Sequence, residues 1–181
     1  MLERSFHSVG LKQILDAVKV PKGSFYHYFE SKEQFGVEML KHYMVAASTH
    51  KRTHLLSDAT ESDPLERLFA YLDGSVDAIE SSPGVFPCLA LKLASEVSNE
   101  SEAMGVQIAR GFQSWINIYQ QVLDEAVTKE ILPRNIDTAS EAQLIQDFWA
   151  GATLRSIANR DAAPTRNAVD QIKRRIKSMT I

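Results

Sequence analysis

The fold of this chain is decided by residues 20–33, whose sequence is VPKGSFYHYFESKE. Pro21 suits the first turn of a helix, because a proline has no backbone N–H that would lack a helical partner there. The segment therefore predicts a short helix over residues 21–28. Phe25 and Phe29 lie on one side of that helix and are expected to face the core.

A longer helix is predicted directly after this one. Ser31 and Gln34 have the spacing of a capping box, in which two side chains accept hydrogen bonds from the free N–H groups of a helix start. The helix is expected to run over residues 31–55. Its predicted inward side carries Phe35, Met39 and Tyr43.

A third helix is predicted upstream, over residues 9–18, where Ser8 is a suitable N-cap. Its apolar stripe consists of Leu11, Ile14, Leu15 and Val18. This helix and the helix over residues 21–28 are both short, and a break of three to four residues separates them. That arrangement is typical of a helix-turn-helix, whose second helix enters the major groove of DNA.

The outward positions of the second helix carry groups that can reach phosphates and base edges. These positions are Lys22, Ser24, Tyr26, His27 and Tyr28. Gly23 has no side chain, so the backbone can approach a ligand closely. Lys32 lies at the start of the next helix, where free N–H groups bind phosphate. Alternatives stay open: either tyrosine ring could pack on the helix over residues 31–55, and the two lysines could be ordinary surface charges.

The remainder of the chain has helical periodicity, with no convincing strand pattern. Helices are predicted over residues 64–81, 87–97, 101–129, 138–159 and 164–179. In the helix over residues 101–129, apolar residues recur at alternating steps of three and four, which is typical of a helix with one buried face. We therefore predict an all-α protein with a DNA-binding domain over residues 1–55 and a second domain over residues 56–181.

Charge and cysteine content exclude several classes of protein. The 181 residues carry 20 Lys and Arg against 23 Asp and Glu, so no chain-wide positive field attracts nucleic acid. Residues 1–55 are nevertheless basic, with 8 Lys and Arg against 5 Asp and Glu. A single cysteine excludes an internal disulfide framework, and no Cys/His cluster has zinc spacing. Apolar runs are shorter than the ~20 residues of a membrane span, so a cytoplasmic protein is expected.

Residues 20–33 resemble the signature of TetR-family transcriptional regulators, and the resemblance covers about residues 8–45. The family pattern contains lysine-glycine, then serine or threonine, a run of aromatics with histidine or tyrosine, and serine-lysine-glutamate. The resemblance implies an N-terminal helix-turn-helix followed by a helical body that binds ligands and forms dimers, without a cofactor.

The resemblance also implies roles for individual residues. DNA contacts fall on Lys22, Ser24, Tyr26, His27, Tyr28 and Lys32, with Gly23 allowing close approach. His27 is the expected reader of bases. Family members begin with a helix that covers the helix-turn-helix, and residues 1–6 retain at most its last turn. We therefore expect the front module to be less well covered than in the family.

Cys88 lies near the start of the predicted helix over residues 87–97. Unpaired N–H groups at a helix start stabilise a thiolate, and Lys92 could add a positive charge. The segment is similar to the N-ethylmaleimide-responsive branch of the TetR family, in which a cysteine at this helix start reacts with electrophiles. The alternative is that Cys88 is a small buried apolar residue, as isolated cysteines often are.

A ligand cavity is expected among the central helices. Its candidate walls are Phe112, Trp115, Tyr119 and Trp149, together with Tyr71, Phe86 and Phe148, of which only two or three should line a cavity. The helices over residues 138–159 and 164–179 carry apolar stripes and the small residues 150–152. Two copies of this pair predict a two-fold four-helix interface. The basic residues 173–177 are expected to face solvent.

These observations predict a homodimeric repressor that binds a near-palindromic DNA operator and responds to a small-molecule or electrophile effector. An alternative is a dimeric sensing module that does not bind DNA in this shortened form. An enzyme is disfavoured, because no nucleophile triad, paired acids, phosphate loop or metal-ligand set is present.

Overall fold

The computed structural model describes Phe6 and residues 9–56, 63–97 and 100–181, and all regular structure in these residues is helical. The helices are α1 (Leu11–Ala17), α2 (Lys22–Tyr28), α3 (Lys32–Leu56), α4 (Pro64–Ser81), α5 (Leu89–Val97), α6 (Glu102–Thr128), α7 (Thr138–Asn159) and α8 (Ala163–Lys177). The predicted all-α class is confirmed. Every predicted helix is present with ends within two residues of the expected positions.

The packing divides the chain into two compact units. The first unit comprises Met1–Ala46 and Cys88–Gly111, and the second comprises Ala47–Pro87 and Phe112–Ile181. Helices α3 and α6 each contribute residues to both units. The division into domains over residues 1–55 and 56–181 stays a prediction.

In the first unit, α1 and α2 are joined by the predicted tight turn. Lys19 adopts a left-handed backbone conformation with φ 56°, and the Val20 N–H returns to the Leu15 carbonyl at 3.0 Å. Phe25 is buried, and its ring centre lies 5.1 Å from Phe29 and 5.7 Å from Phe35. These contacts fix α2 by its inner side and leave the opposite side free.

The buried side of α3 differs from the predicted one. Phe35, Met39 and Tyr43 are only half-buried, whereas Leu40 and Met44 are buried in the first unit. The absence of a side chain at Gly36 explains part of this shift, since a Cβ there would lie 2.7 Å from the Phe6 ring. The glycine therefore lets a ring pack directly on the helix backbone.

In the second unit, α4, α7 and α8 pack side by side. Helix α8 is antiparallel to α7, because Ser156 bonds Thr165 at 2.8 Å near one end and Glu141 bonds Arg175 near the other. Helix α8 is also antiparallel to α4, where Glu80 pairs with Arg166 and Asp73 pairs with Lys173. Helices α4 and α7 therefore run parallel.

Among the basic residues near the end of α8, Arg174, Arg175 and Lys177 are exposed, as expected, whereas Lys173 is half-buried. Two of these residues also pair with neighbouring helices. Lys173 pairs with Asp73 of α4. Arg175 makes two bonds to Glu141 of α7, at 2.7 and 2.6 Å, and Glu141 is buried. These cations tie α8 to its two neighbours.

None of the helices in the described ranges is long and apolar enough to cross a membrane. The same ranges contain no group of three or more His, Cys, Asp and Glu side chains placed to hold a metal ion.

Candidate functional site

Helix α2 presents a polar outer side. Lys22, Ser24 and His27 are exposed, and Tyr26 and Tyr28 are 52% and 73% exposed. The Tyr26 ring stands edge-on to Phe25 of its own helix at 5.4 Å, rather than packing into the core. The outer side of α2 thus offers an ammonium group, hydroxyls and an imidazole to a partner.

Gly23 lies at the start of α2 with open space around it. Among the described residues, none has an atom within 4 Å of the position that a Cβ on Gly23 would take. The protein's own packing therefore does not require glycine at this position. The missing side chain leaves room for a partner to approach the backbone of the first helical turn.

Lys32 differs from the other candidate DNA contacts. Its side chain is half-buried, its Nζ donates a hydrogen bond to the Phe6 carbonyl at 2.5 Å, and the same atom lies 4.6 Å from the centre of the Phe6 ring. Burial lowers the pKa of the Lys32 ammonium from its ordinary value. In this structure Lys32 therefore holds the backbone at Phe6, and its phosphate contact stays a prediction.

The predicted cap at the start of α3 is present with one difference. The Gln34 N–H donates to Ser31 Oγ at 3.0 Å, as in a capping box. The Gln34 side chain accepts from the N–H of Glu30 at 2.5 Å, not from that of Ser31. The side chains of Ser31 and Gln34 thereby fix the turn between α2 and α3.

Cys88 immediately precedes α5 and is 6% exposed. Its Sγ accepts a hydrogen bond from the Leu91 N–H at 3.4 Å. The Tyr43 hydroxyl donates to the same sulfur at 3.7 Å and accepts from the Leu89 N–H at 3.1 Å. The thiol and the phenol thus occupy the place of helix-capping groups at the first turn of α5.

The expected action of Lys92 on the Cys88 thiolate stays a prediction, and Lys92 also pairs with a carboxylate of its own helix. Its side chain is buried, and its Nζ lies 3.8 Å from Glu96 Oε1, one turn further along α5. Glu96 also accepts a hydrogen bond from the Phe6 N–H at 3.2 Å. The Lys92 charge is balanced by this carboxylate.

Three of the predicted cavity residues gather in the second unit around a lysine. Trp115 and Tyr119 are buried and Tyr71 is half-buried, and the Lys51 ammonium lies against all three rings. The Phe112 ring lies 5.4 Å from Trp115.

The other predicted wall residues are placed differently. Trp149 donates its indole N–H to Ser75 Oγ at 2.9 Å, which ties α7 to α4. Phe148, by contrast, is 45% exposed and belongs to an outer surface, so it is not part of the group of rings around Lys51. Phe86 is half-buried.

A groove of about 570 Å³ lies between α7 and α8. Its lining includes Phe148, Gly151, Arg155, Pro164 and Asn167. In the part of the chain that the structure describes, no atom lies within 4 Å of the position that a Cβ on Gly151 would take. The outer side of α7 therefore combines an exposed aromatic ring with a position that admits close helix approach.

Family comparisons match both parts of the chain. The family of bacterial regulatory proteins, tetR family, matches residues 1–39, and the tetracyclin repressor-like C-terminal domain matches residues 64–172. The chain belongs to the TetR family. It is therefore a transcriptional regulator and not an enzyme, as predicted.

Individual TetR-family proteins resemble the chain over almost all of its length. The HTH-type transcriptional repressor NemR of Escherichia coli (strain K12) is 34% identical over 173 residues, which are 95% of this chain and 85% of NemR. The crystal structure of reduced E. coli NemR has a TM-score of 0.87 at 32% identity, covering 99% of this chain and 90% of that one. A cysteine mutant of the regulator CifR, complexed with a 26bp double-strand operator DNA, has a TM-score of 0.75 at 20% identity, covering 94% and 87%.

Sequence reasoning missed two functional candidates of this TetR-family chain. Lys51 lies seven residues after Met44 and four before Leu55, both of which are buried in α3. This helical spacing already indicated in the sequence that Lys51 occupies a core position. Tyr43 was predicted to face the core of α3, but nothing in the sequence shows that its hydroxyl meets Cys88.

Proposed function

We propose that this TetR-family chain is a cytoplasmic repressor that binds a near-palindromic operator as a homodimer and releases it in response to an effector. The observation that supports this proposal most strongly is the exposed polar side of α2. The opposite side of the helix is anchored in the core by buried Phe25. The resemblance to a transcriptional repressor over 95% of the chain supports the same proposal. The CifR mutant, which has the same fold, forms a complex with operator DNA, and this supports the proposal.

Within the proposed DNA interface, the side chains have separate tasks. Lys22 contacts a phosphate, and Gly23 lets the first turn of α2 approach the backbone. His27 reads a base edge in the major groove, whereas Tyr26 and Tyr28 contact phosphates or thymine methyl groups through hydroxyl and ring. Ser24 can serve either purpose. Lys32 acts indirectly, by holding Phe6 against α3.

The proposed dimer forms through α7 and α8. Phe148 and Leu154 of α7 are 45% and 42% exposed, and Phe148 also lines the groove between α7 and α8. A second copy packed on this side would bury both residues and form a four-helix interface around a two-fold axis. Such an axis would present two copies of α2 to the two halves of a palindrome.

The proposed effector response involves Cys88. Alkylation of its sulfur adds volume at a buried site and weakens the acceptor that caps the Leu91 N–H. The disturbed start of α5 belongs to the same compact unit as α2. An adduct therefore favours a geometry of that unit in which α2 no longer fits the groove, and a difference of ~1–3 kcal/mol changes operator affinity roughly 5–150-fold.

The test begins with selection of duplex fragments from random DNA, followed by fluorescence polarisation of the selected duplex. The proposal expects tight binding by the unaltered chain and release after treatment with N-ethylmaleimide. Cys88→Ser should bind equally well and resist release. Failure to select any duplex, with dimers intact, would instead favour the alternative of a sensing module without DNA binding.

A further inference from the structure

Two exposed histidines lie one turn apart in the second half of α3. His50 and His54 are separated by three residues, and this spacing places both side chains on one face of a helix. The centres of their imidazole rings lie 4.1 Å apart, and the ring planes are inclined by 35°. The two rings therefore lie side by side at the surface of the second compact unit, where one ion can reach both.

The backbone of α3 fixes which nitrogen of the His54 ring carries the proton. Nδ1 of His54 lies 2.8 Å from the backbone carbonyl oxygen of His50. A carbonyl oxygen only accepts hydrogen bonds, so Nδ1 carries the proton and the lone pair of the neutral ring is on Nε2. Histidines that bind metals commonly donate from one nitrogen to a carbonyl and bind the ion with the other. The Nε2 of His54 is thus prepared to act as a metal ligand.

The nitrogens of the His50 ring are open to the same ion. Among the residues that the structure describes, the His50 ring contacts two other rings but has no hydrogen-bond partner. Two nitrogens that bind one tetrahedral zinc ion at ~2.0–2.1 Å are roughly 3.3 Å apart. Since the ring centres are 4.1 Å apart and both side chains are exposed, small side-chain rotations bring two ring nitrogens to that separation.

The two cationic side chains that lie between the histidines in the sequence are bonded to α6. Lys51 is buried, and its Nζ donates a hydrogen bond to the Tyr119 hydroxyl at 2.7 Å. Arg52 donates from Nη1 to Oε1 of Gln121 at 3.3 Å. These hydrogen bonds hold both charges toward α6, which limits their repulsion of a cation at the imidazole rings.

Tyr71 of α4 borders the histidine pair. The centre of its ring lies 6.5 Å from that of His50 and 6.2 Å from that of His54. The described residues contain no group of three or more His, Cys, Asp and Glu side chains placed around a common point. Water therefore supplies the remaining ligands of an ion that binds the pair, as it does in open metal sites.

We propose that His50 and His54 form a binding site for a divalent transition-metal ion that accepts imidazole ligands, such as Zn²⁺, Ni²⁺ or Cu²⁺. Nε2 of His54 and one ring nitrogen of His50 bind the ion. Two histidines at this spacing on one helix face also bind zinc together in metalloproteases of the His-Glu-x-x-His type. With two protein ligands rather than the four of a structural zinc site, the ion binds reversibly. The inference is independent of the proposed function, because it involves neither α2 nor Cys88.

Calorimetric titration of the unaltered chain, without DNA and without a histidine tag, tests whether the site exists. The probes are the chlorides of Cu²⁺, Ni²⁺, Zn²⁺ and Mg²⁺ in a buffer that does not bind metals. We expect saturable binding that is tightest for Cu²⁺, and no binding of Mg²⁺, which prefers oxygen ligands. No saturable binding of the three transition-metal ions, or equal binding of Mg²⁺, would overturn the proposal.

Substitution of either histidine tests whether the pair holds the ion. His50→Gln and His54→Gln should each lower the affinity for Ni²⁺ and Zn²⁺ at least about tenfold, because a lost ligand costs no less than a lost partner of a ligand. His42→Gln is the matched control, since His42 is exposed on the same helix but has no histidine four residues before or after it. Equal affinities of the three variants would indicate adventitious binding to surface histidines only and would overturn the proposal.

A combined variant tests the helical spacing itself. His54→Gln together with Arg52→His keeps five histidines in the chain, but residues two positions apart do not face each other on a helix. Its affinity should stay as low as that of His54→Gln alone, and restored binding would contradict the site. Circular dichroism checks that each variant is folded, as expected for substitutions of exposed side chains. If one variant of the pair does not fold, the affinity of the other decides.

Discussion

At the scale of single residues, the exposed side chains of α2 are expected to make different kinds of contact with DNA. His27 has two ring nitrogens that can read a base edge, whereas Lys22 carries a charge that attracts any phosphate. Both are exposed, and neither contributes to the core around Phe25. Substitutions at these positions therefore report on DNA binding without loss of fold.

Lys22→Ala should weaken binding to specific and random duplexes alike. The loss of one phosphate contact should also reduce the slope of log affinity against log salt by about one. Polarisation titrations at several salt concentrations measure both quantities. An unchanged slope of log affinity against log salt would show that Lys22 does not contact a phosphate.

His27→Ala should change which base is preferred at one position of each half-site. The expected loss on the best duplex is ~1–3 kcal/mol, with little change on random DNA. Competition between duplexes that differ at single positions measures the preference. Equal losses on specific and random DNA would remove His27 from base reading.

Lys32 shows what sequence alone does not provide. Its position in the motif implies a phosphate contact, but the structure shows its ammonium bound to the Phe6 carbonyl. No local pattern encodes a contact between residues 6 and 32, because it depends on tertiary packing. Lys51 was missed for a different reason: its spacing from Met44 and Leu55 marks a core position, but a lone lysine in a helix is usually solvated.

At the scale of elements, the sequence predicted the helices well because their ends carry local signals. Pro64 and Asp63 start α4 as expected for a first-turn proline and an N-cap. The start of α5 was placed two residues early, since Cys88 caps the helix from outside. Which side of α3 faces the core also depended on Gly36 and the ring of Phe6.

Cys88→Ala should destabilise the fold, because it removes the sulfur that accepts from the Leu91 N–H. Sulfur is a weaker acceptor than the oxygen of a usual N-cap residue, so the expected loss is at most about 1 kcal/mol. Cys88→Ser keeps an acceptor and should unfold at nearly the same denaturant concentration as the unaltered chain. Urea unfolding followed by circular dichroism measures both. Equal stability of all three would show that the sulfur does not cap α5.

Asp137 caps α7 and should make stability depend on acid. Hydrogen bonds from the Ser140 N–H and hydroxyl lower the pKa of Asp137 in the folded state. The stabilisation is therefore present above the unfolded value of about 3.9 and is lost as the pH falls through the lower folded value. Asp137→Asn keeps a capping oxygen but does not titrate. Between about pH 5 and pH 2.5, the thermal unfolding temperature of this variant should therefore fall less than that of the unaltered chain.

At the scale of the whole molecule, the proposed function requires two copies. Phe148→Asp or Leu154→Asp places a charge on the proposed interface and should yield a monomer with greatly reduced operator affinity. Val45→Asp is the matched control, since Val45 is an exposed apolar residue of α3. Analytical ultracentrifugation measures the state of assembly. A dimer that persists in both α7 variants would place the interface elsewhere.

The central claim is that α2, in two symmetry-related copies, reads duplex DNA. Sequencing of the duplex fragments that the chain selects from random DNA tests it most directly. The account predicts an inverted repeat with half-sites separated by one or more helical turns of about 10 base pairs, and an altered repeat for His27→Ala. No enrichment, or the same asymmetric sequence with and without His27, would contradict it.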